Sequence, residues 1–199
     1  MAALEFALLA PAFVMHVFNA KFGFVTDTLF NDPTIPAGYA PFNIANMGGK
    51  LIVTFAAQKP PDNHDDQAGA GFGFVDVFTA RGEFVRRLAS GGTLNAPWGL
   101  ARAGDNMGMF SDALLVSNFG DGKINAFDAA GNFLGQLPDT SGNPLSIDGL
   151  WGIASVNAES DHGESRAALY FAAGPNEEGD GLFGFLAPVK SRGGFHAHR

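Results

Sequence analysis

The sequence contains no cysteine among its 199 residues. Disulfide bridges, zinc–thiolate sites and thiol nucleophiles are therefore excluded. The absence of cysteine does not indicate a cellular compartment, because a chain of this length can bury a stable core without disulfides.

Basic side chains are also scarce. Twelve Lys and Arg residues stand against 20 Asp and Glu residues, which gives a formal net charge of −8. Nucleic-acid-binding domains typically carry a basic patch that neutralises phosphates. The charge balance thus argues against a nucleic-acid partner, and solubility is the simplest role for the dispersed acidic residues.

The sequence lacks a long, unbroken apolar run of the kind that spans a membrane as a helix. The N-terminal stretch MAALEFALLAPAFVMHVFNA is apolar, but Pro11 and His16 interrupt it. It resembles a secretory hydrophobic region, although it has no basic start and carries Glu5. We expect an atypical apolar N-terminus over residues 1–14 and no integral membrane span.

Glycine and phenylalanine, by contrast, are abundant, with 27 and 20 residues. They recur in a repeat: GFVDVFTARGEFVRRL (Gly73–Leu88) aligns without a gap with GKINAFDAAGNFLGQL (Gly122–Leu137). In both copies apolar residues alternate on either side of a glycine-containing turn. This pattern predicts a β-hairpin in each copy.

A second element recurs upstream of the hairpins. It reads APFNIA (Ala40–Ala45), APWGLA (Ala96–Ala101) and GLWGIA (Gly149–Ala154), and an apolar strand follows each copy. The complete unit therefore has four strands, as does a β-propeller blade. We expect Gly99 and Gly152 to allow close approach of neighbouring backbones on the inner strands.

These repeats predict an all-β fold, a partial NHL-like β-propeller of about three four-stranded blades plus half a preceding blade. Its open edges would be available for self-association, and we expect the chain to be a C-terminal portion of a longer protein or a mis-started product. The predicted boundaries within residues 15–189 are a half blade at 15–37, blades at 38–94 and 95–147, an incomplete blade at 148–189, and then a flexible tail at 190–199.

Five stretches carry a family resemblance: AGYAPFNIANMGGKLIVTFA, HDDQAGAGFGFVDVF, LNAPWGLA, SNFGDGKINAFD and YFAAGPNEEGDGLFG. Together they resemble an uncharacterised bacterial family of NHL-like β-propeller proteins, some exported and some carrying PEP-CTERM-type sorting tails. The resemblance covers about Val17 to Pro188. It implies a propeller fold and an extracellular or periplasmic location, but it implies no reaction.

Two acidic stretches, DNHDD (Asp62–Asp66) and PNEEGD (Pro175–Asp180), connect the second and third strands of their blades. Connections at equivalent corners share one propeller face. Carboxylate oxygens suit Ca²⁺, whereas His64 would favour a transition metal, and solvated polar loops are the simpler alternative. The candidate metal ligands are Asp62, Asp65, Asp66, Glu177, Glu178 and Asp180.

No set of residues indicates nucleophilic catalysis, since no serine lies in a G-x-S-x-G turn. We therefore predict a non-enzymatic binding or scaffold module, without a cofactor, whose protein or small-molecule ligand binds one propeller face. One alternative is a Ca²⁺-dependent propeller hydrolase or lyase, with Asn43 and Asn118 as further ligands. Another is a truncated product without independent function.

Overall fold

The computed structural model describes residues 17–25, 30–159, 165–188 and 195–198. This part of the chain is all-β, as predicted, with one short 3-10 helix at Gly108–Phe110. None of the helices in these described ranges is long and apolar enough to cross a membrane. The strands are β1 (Val17–Phe18), β2 (Phe24–Val25), β3 (Tyr39–Met47), β4 (Lys50–Ala57), β5 (Gly73–Thr79), β6 (Phe84–Ser90), β7 (Pro97–Arg102), β8 (Leu114–Asn118), β9 (Ile124–Phe127), β10 (Phe133–Gln136), β11 (Leu150–Glu159), β12 (Ser165–Ala173), β13 (Leu182–Pro188) and β14 (Phe195–His198).

The strands form three antiparallel four-stranded sheets, each with its strands in chain order. Sheet 1 contains β3–β6, sheet 2 contains β7–β10 and sheet 3 contains β11–β14, while β1 and β2 form a separate hairpin. The two repeated hairpins are β5–β6 and β9–β10, as the aligned sequences predict.

Strand β14 was not predicted from the sequence, which indicated an incomplete last unit ending at residue 189 and a flexible tail at 190–199. Instead, Phe195–His198 pairs with β13, with Pro188 opposite Phe195. The backbone N–H of Phe195 donates to the Pro138 carbonyl oxygen at 3.0 Å, and its ring is buried at 3% exposure. One buried aromatic and a backbone ladder suffice for this short strand, which shows too little alternation to be recognised in the sequence.

The sheets pack face to face. Val75 and Val77 of sheet 1 meet Leu100 and Val116 of sheet 2 in one buried cluster. Sheet 2 packs on sheet 3 through a larger cluster that includes Leu115. The strands read as nearly continuous apolar runs because both faces of the central sheet are covered.

The first strands of the sheets lie side by side, since β7 contacts both β3 and β11. Close approach is needed at Gly99: a Cβ there would lie 2.3 Å from Ser117 Oγ and 2.8 Å from the Trp151 carbonyl oxygen. Among the described residues, no atom lies within 4 Å of a Cβ placed at Gly152, so the predicted close approach is not seen there.

Candidate functional site

The connections between the second and third strands of the sheets define one end of the molecule, here called the loop end. In sheet 1, β3 begins opposite the end of β4, where Tyr39 pairs with Ala57, and β5 begins at the same edge. Sheets 2 and 3 repeat this topology, so β7 and β11 also begin at the loop end.

Four aromatic side chains form a continuous row at the loop end. The ring centroids of Phe42 and Trp98 are 4.4 Å apart, those of Trp98 and Trp151 are 5.5 Å apart, and Phe119 lies 5.9 Å from Trp151. Edge-to-face and tilted arrangements at these distances are favourable aromatic contacts. Trp151 is 39% exposed, and the other three rings are half-buried. The aromatic row thus presents apolar rings to solvent across three sheets.

The repeat places these rings, and two side-chain hydrogen bonds hold the tryptophan backbones. Asn43 Nδ2 donates to the Trp98 carbonyl oxygen at 2.9 Å, which ties sheet 1 to sheet 2. Ser117 Oγ donates to the Trp151 carbonyl oxygen at 2.8 Å, which ties sheet 2 to sheet 3. Each tryptophan is therefore anchored by the sheet that precedes it.

An open groove of about 460 Å³ lies beside the aromatic row. Phe119 belongs to both features, because it contacts Trp151 and also lines the groove. The other groove residues come from one segment of the chain: Lys59, Pro60, Asp65, Asp66, Gln67 and Ala68.

The acidic loop between β4 and β5 is held by its own backbone. The Lys59 N–H donates to the Asp65 carbonyl oxygen at 2.8 Å, and the Gln67 N–H donates to the Ala57 carbonyl oxygen at 2.7 Å. Asp65 Oδ1 accepts from the Asp66 N–H at 2.9 Å. This bonding leaves Asp62 and Asp65 exposed and Asp66 half-buried.

Asp66 is the perturbed carboxyl of the groove. Burial is the largest cause that raises its pKa to about 6, and the negative charges of Asp65 and Glu178 contribute to the same shift. Both causes disfavour the ionised carboxylate. The negative charge of Glu178 in sheet 3 therefore reaches the carboxyl group of Asp66 in sheet 1.

The acidic loop of sheet 3 has an unusual backbone. Asn176, Glu177 and Glu178 have φ values of 58°, 54° and 64°, a left-handed run of three residues other than glycine. Asn176 Nδ2 donates to Asp180 Oδ2 at 2.6 Å, and the Asn176 N–H donates to Asp148 Oδ2 at 3.1 Å. Left-handed residues of this kind are costly and are retained where the surroundings fix them.

The predicted metal ligands are brought together only in part. Asp66 and Glu178 interact electrostatically, but within the described ranges no three His, Asp or Glu side chains group closely enough to hold a metal ion. The Ca²⁺ site stays a prediction without support from this geometry.

The two asparagines considered as further ligands have structural partners. Asn43 bonds to Trp98 as described above. Asn118 is fully buried: its Nδ2 donates to Thr93 O at 2.8 Å and to Asp121 Oδ1 at 3.0 Å, and its Oδ1 accepts from the Asn95 N–H at 3.1 Å. Both side chains are thus engaged in holding the fold.

Sequence reasoning missed the aromatic row as a surface. The repeat aligns Phe42 with Trp98 and Trp151, which is the signal that could have found three of its members. Phe119 has no aligned aromatic partner, and only the packing of sheet 2 on sheet 3 reveals its place at the end of the row.

Comparison with known proteins finds relatives of viral origin. Two uncharacterized proteins of Acanthamoeba polyphaga mimivirus are 41% and 37% identical to this chain, over 170 and 185 residues. These matches cover 85% and 89% of the chain, but 41% and 48% of the relatives. A third uncharacterized mimivirus protein is 43% identical over 137 residues, which is 69% of this chain and 26% of that protein. The chain therefore spans less than half the length of these relatives.

These three relatives are viral proteins. The resemblance to a bacterial NHL-like family is therefore wrong, since identities of 37–43% connect the chain to mimivirus proteins. The same resemblance implied that the protein is exported. Export remains a prediction, but the bacterial resemblance no longer supports it.

Two further comparisons assign the chain neither to a protein family nor to a known fold. No protein-family model matches the chain. A crystal structure of a protein of unknown function from Bacteroides caccae is similar at a TM-score of 0.42 and 13% identity, covering 83% of this chain and 47% of that one. A TM-score this low does not establish that the two proteins share a fold.

Proposed function

We propose that the three sheets are consecutive blades of a β-propeller and that the loop end is a non-enzymatic binding surface for a cationic ligand, a lysine-rich peptide segment. The observation that carries the proposal is the aromatic row beside the acidic groove. Aromatic faces attract cations, by roughly 0.5–1 kcal/mol at exposed sites. A lysine side chain could contact a ring with its carbon stem and a carboxylate with its ammonium group.

The stacking of the sheets supports the propeller part of the proposal. Each sheet has four antiparallel strands in chain order, and the first strands β3, β7 and β11 are neighbours. In a propeller the first strands surround the axis, and the connections between second and third strands lie on one face. That arrangement would place the aromatic row at the mouth of the central channel.

Charge supports the choice of ligand. The chain has a net charge of −8, and exposed carboxylates of Asp65, Asp148, Glu177 and Glu178 lie in the loop-end connections. A negative rim raises the local concentration of cationic ligands and speeds their association. Lys59 is the basic residue among those that line the groove.

The test uses the natural fluorescence of the protein, because its two tryptophans, Trp98 and Trp151, both belong to the aromatic row. Titration with an oligolysine peptide should change the tryptophan emission, and added salt should weaken the effect. An oligoglutamine peptide of the same length should give no change. Equal responses to the two peptides, or none to either, would contradict the proposal.

Variants locate the binding surface. Phe119→Ala shortens the aromatic row, and Glu178→Gln removes one carboxylate from the loop end. Each should weaken oligolysine binding about two- to fivefold, since exposed charge and cation–ring contacts contribute about 0.2–1 kcal/mol. Glu83→Gln is the matched control, because Glu83 is an exposed carboxylate in the β5–β6 turn at the opposite end of sheet 1.

A further inference from the structure

A second groove, of about 310 Å³, opens between the outer strand of sheet 1 and the β9–β10 hairpin of sheet 2. Its floor consists of Leu88, Ala89 and Phe127, apolar residues of the packed cluster between the two sheets. The groove thus lies where the interface between two internal sheets meets solvent. Its volume is in the range of small-molecule sites.

Two contacts between the sheets fix the shape of this groove. Arg86 of β6 donates to the Ala129 carbonyl oxygen at 2.6 Å and to the Ala130 carbonyl oxygen at 3.2 Å, which ties the β9–β10 turn to sheet 1. A Cβ at Gly131 would lie 2.3 Å from the Leu88 carbonyl oxygen, so the two backbones meet there. The walls are therefore held in place before a ligand binds, which lowers the cost of ordering the site.

The wall on the sheet 2 side is an exposed aromatic ring. Phe133 lines the groove and is 48% exposed, although its ring centroid lies only 5.7 Å from that of Phe127. Sheet 1 has the equivalent pair, because Phe84 is 40% exposed and lies 5.8 Å from Phe78, but Phe84 does not border this groove. Phe133 thus offers an apolar surface to a ligand, and Phe84 provides an internal comparison.

The wall on the sheet 1 side carries exposed groups that can form hydrogen bonds. They are the hydroxyl groups of Ser90 and Thr93 and the backbone N–H groups of Gly92 and Thr93, which have no hydrogen-bond partner in the described part of the chain. Gly91 and Gly92 have φ values of 60° and 61°, a left-handed pair that glycine adopts readily. A Cβ at Gly92 would meet no described atom within 4 Å, so this wall is open to a ligand.

The charge of the groove indicates the class of ligand. None of the described residues that line it is acidic or basic, although the whole chain has a net charge of −8. A charged ligand would lose hydration there without meeting an opposite charge, so the groove favours a neutral ligand. A neutral hexose fits this combination, because one face of the sugar ring carries C–H groups that pack on an aromatic ring and its hydroxyl groups both donate and accept.

We propose that the groove between sheets 1 and 2 binds a neutral hexose unit of a carbohydrate. The apolar face of the sugar packs on Phe133, and its hydroxyl groups bond to Ser90, Gly92 and Thr93. Each of these hydrogen bonds replaces a bond to water, so a single hexose should bind with a dissociation constant on the order of 1 mM. The inference needs neither the cationic ligand nor the loop-end surface of the proposed function.

The test is an NMR titration of the isotope-labelled full chain with the methyl glycosides of glucose, mannose and galactose. At least one glycoside should shift the amide signals of Gly92 and Thr93 in a saturable manner, while those of Phe119 and Trp151 at the loop end stay unchanged. Glucuronate, which adds a carboxylate to the hexose, should bind about fivefold more weakly or worse. The proposal is overturned if no glycoside causes shifts at tens of millimolar, if the largest shifts occur at the loop end, or if glucuronate binds equally well.

Variants locate the sugar within the groove. Phe133→Ala removes the apolar wall and should weaken glycoside binding about fivefold or more, and Thr93→Val removes one hydroxyl group and should weaken it about two- to fivefold. Phe84→Ala is the matched control, because it truncates a similarly exposed ring outside the groove and should leave the affinity unchanged. Circular dichroism would verify that the three variants are folded.

Equal losses in Phe84→Ala and Phe133→Ala would overturn the proposal, because the effect would then not depend on the groove. Shifts at Gly92 and Thr93 with a hydrophobic tripeptide, but with no glycoside, would also overturn it and assign the groove to a protein partner.

Discussion

Sheets 1 and 2 place different chemistry at the same buried position of the repeat. Asp76 of β5 lies opposite Val53, and Asn125 of β9 lies opposite Val116, at equivalent points of the register. Both side chains are completely buried. Sheet 1 thus has a carboxyl group where sheet 2 has a neutral amide.

The neutral position in sheet 2 is fully connected. Asn125 Oδ1 accepts from Gln136 Nε2 at 3.1 Å, and Asn125 Nδ2 donates to Asn118 Oδ1 at 3.1 Å and to Thr93 O at 3.4 Å. Neutral amides that satisfy one another carry no cost of burying charge.

The charged position in sheet 1 is connected less completely. Arg87, which aligns with Gln136, bonds to Asp76 Oδ1 and also to Asp32 Oδ2 at 2.5 Å. Asp76 Oδ2 is buried and has no hydrogen-bond partner among the described residues. Burial raises the pKa of Asp76 to about 6 even though Arg87 opposes the shift. Burial also acts to raise the pKa of Asp32, but hydrogen bonds from Thr34 and Arg87 hold it below its ordinary value.

One position of the repeat thus accepts either a buried carboxyl group or a buried amide, but the stability of the two networks depends on different interactions. The amide network depends on geometry alone, whereas the ionic network depends on one arginine between two carboxyl groups. Breaking a buried ion pair leaves an uncompensated charge, which is more costly than the loss of a neutral hydrogen bond.

The largest effect should come from Arg87→Gln, which gives sheet 1 the side chain that sheet 2 has. The variant leaves Asp32 and Asp76 without their cation, and we expect a loss of about 3–5 kcal/mol in the free energy of unfolding at pH 7. Gln136→Ala in sheet 2 is the matched change, with a loss of about 1 kcal/mol. Urea denaturation measures both, and equal losses would contradict the comparison.

The pH dependence has a defined sign. The pKa of Asp76 is raised from 3.8 to about 6, so the folded protein binds this proton more tightly than the unfolded chain does. The stability that the protonated Asp76 side chain contributes is therefore fully present below about pH 4 and is lost as the pH rises through 6. The loss caused by Arg87→Gln should therefore shrink as the pH falls below 6. The double variant Asp76→Asn with Arg87→Gln, which copies sheet 2, should recover part of the lost stability at pH 7, because Asp32 still lacks its cation. A double variant as unstable as Arg87→Gln alone would contradict the ionic explanation.

Much of this architecture could be predicted from the sequence because the repeat is local. The aligned hairpins predicted the all-β class, and the aligned upstream elements predicted that each unit has four strands. The aligned pairs Asp76/Asn125 and Arg87/Gln136 are also visible in the sequence.

The remainder depends on contacts between segments that the repeat does not relate. Asp32 reaches Arg87 from the segment before β3, outside the aligned units. Phe119 joins the aromatic row only through packing between sheets, and β14 is defined by backbone pairing rather than by its own pattern. The spacing of the acidic residues could not indicate whether three carboxylates would converge, because side-chain directions in loops are set by local hydrogen bonds such as that of Asn176 to Asp180.

An intermediate effect should come from Gly99→Ala, with Gly152→Ala as its matched control in sheet 3. A Cβ at Gly99 would meet Ser117 Oγ at 2.3 Å and Ile153 Cγ1 at 2.9 Å, so the sheets must move apart. We expect a loss of about 1–3 kcal/mol, as for overpacking in a core. Gly152 has free space within 4 Å, and alanine there should be neutral or stabilising by up to about 1 kcal/mol. Thermal and urea denaturation of the two variants would separate them, and a greater loss at Gly152 would show that the sheets do not approach most closely at Gly99.

The smallest effect concerns two hydroxyl groups at one register position, Thr54 in sheet 1 and Ser117 in sheet 2. Ser117 Oγ accepts from the Gly99 N–H at 2.9 Å and donates to the Trp151 carbonyl oxygen, so Ser117→Ala should cost about 1–2 kcal/mol. Thr54 Oγ1 is buried and has no hydrogen-bond partner in the described part of the chain, because Asn43 makes the equivalent bridge to Trp98. Thr54→Val replaces that hydroxyl with a methyl group and should be neutral or stabilising by about 1 kcal/mol. Urea denaturation of both variants checks the difference, and a loss at Thr54 as large as that at Ser117 would mean that the threonine hydroxyl has a bonding role in sheet 1 after all.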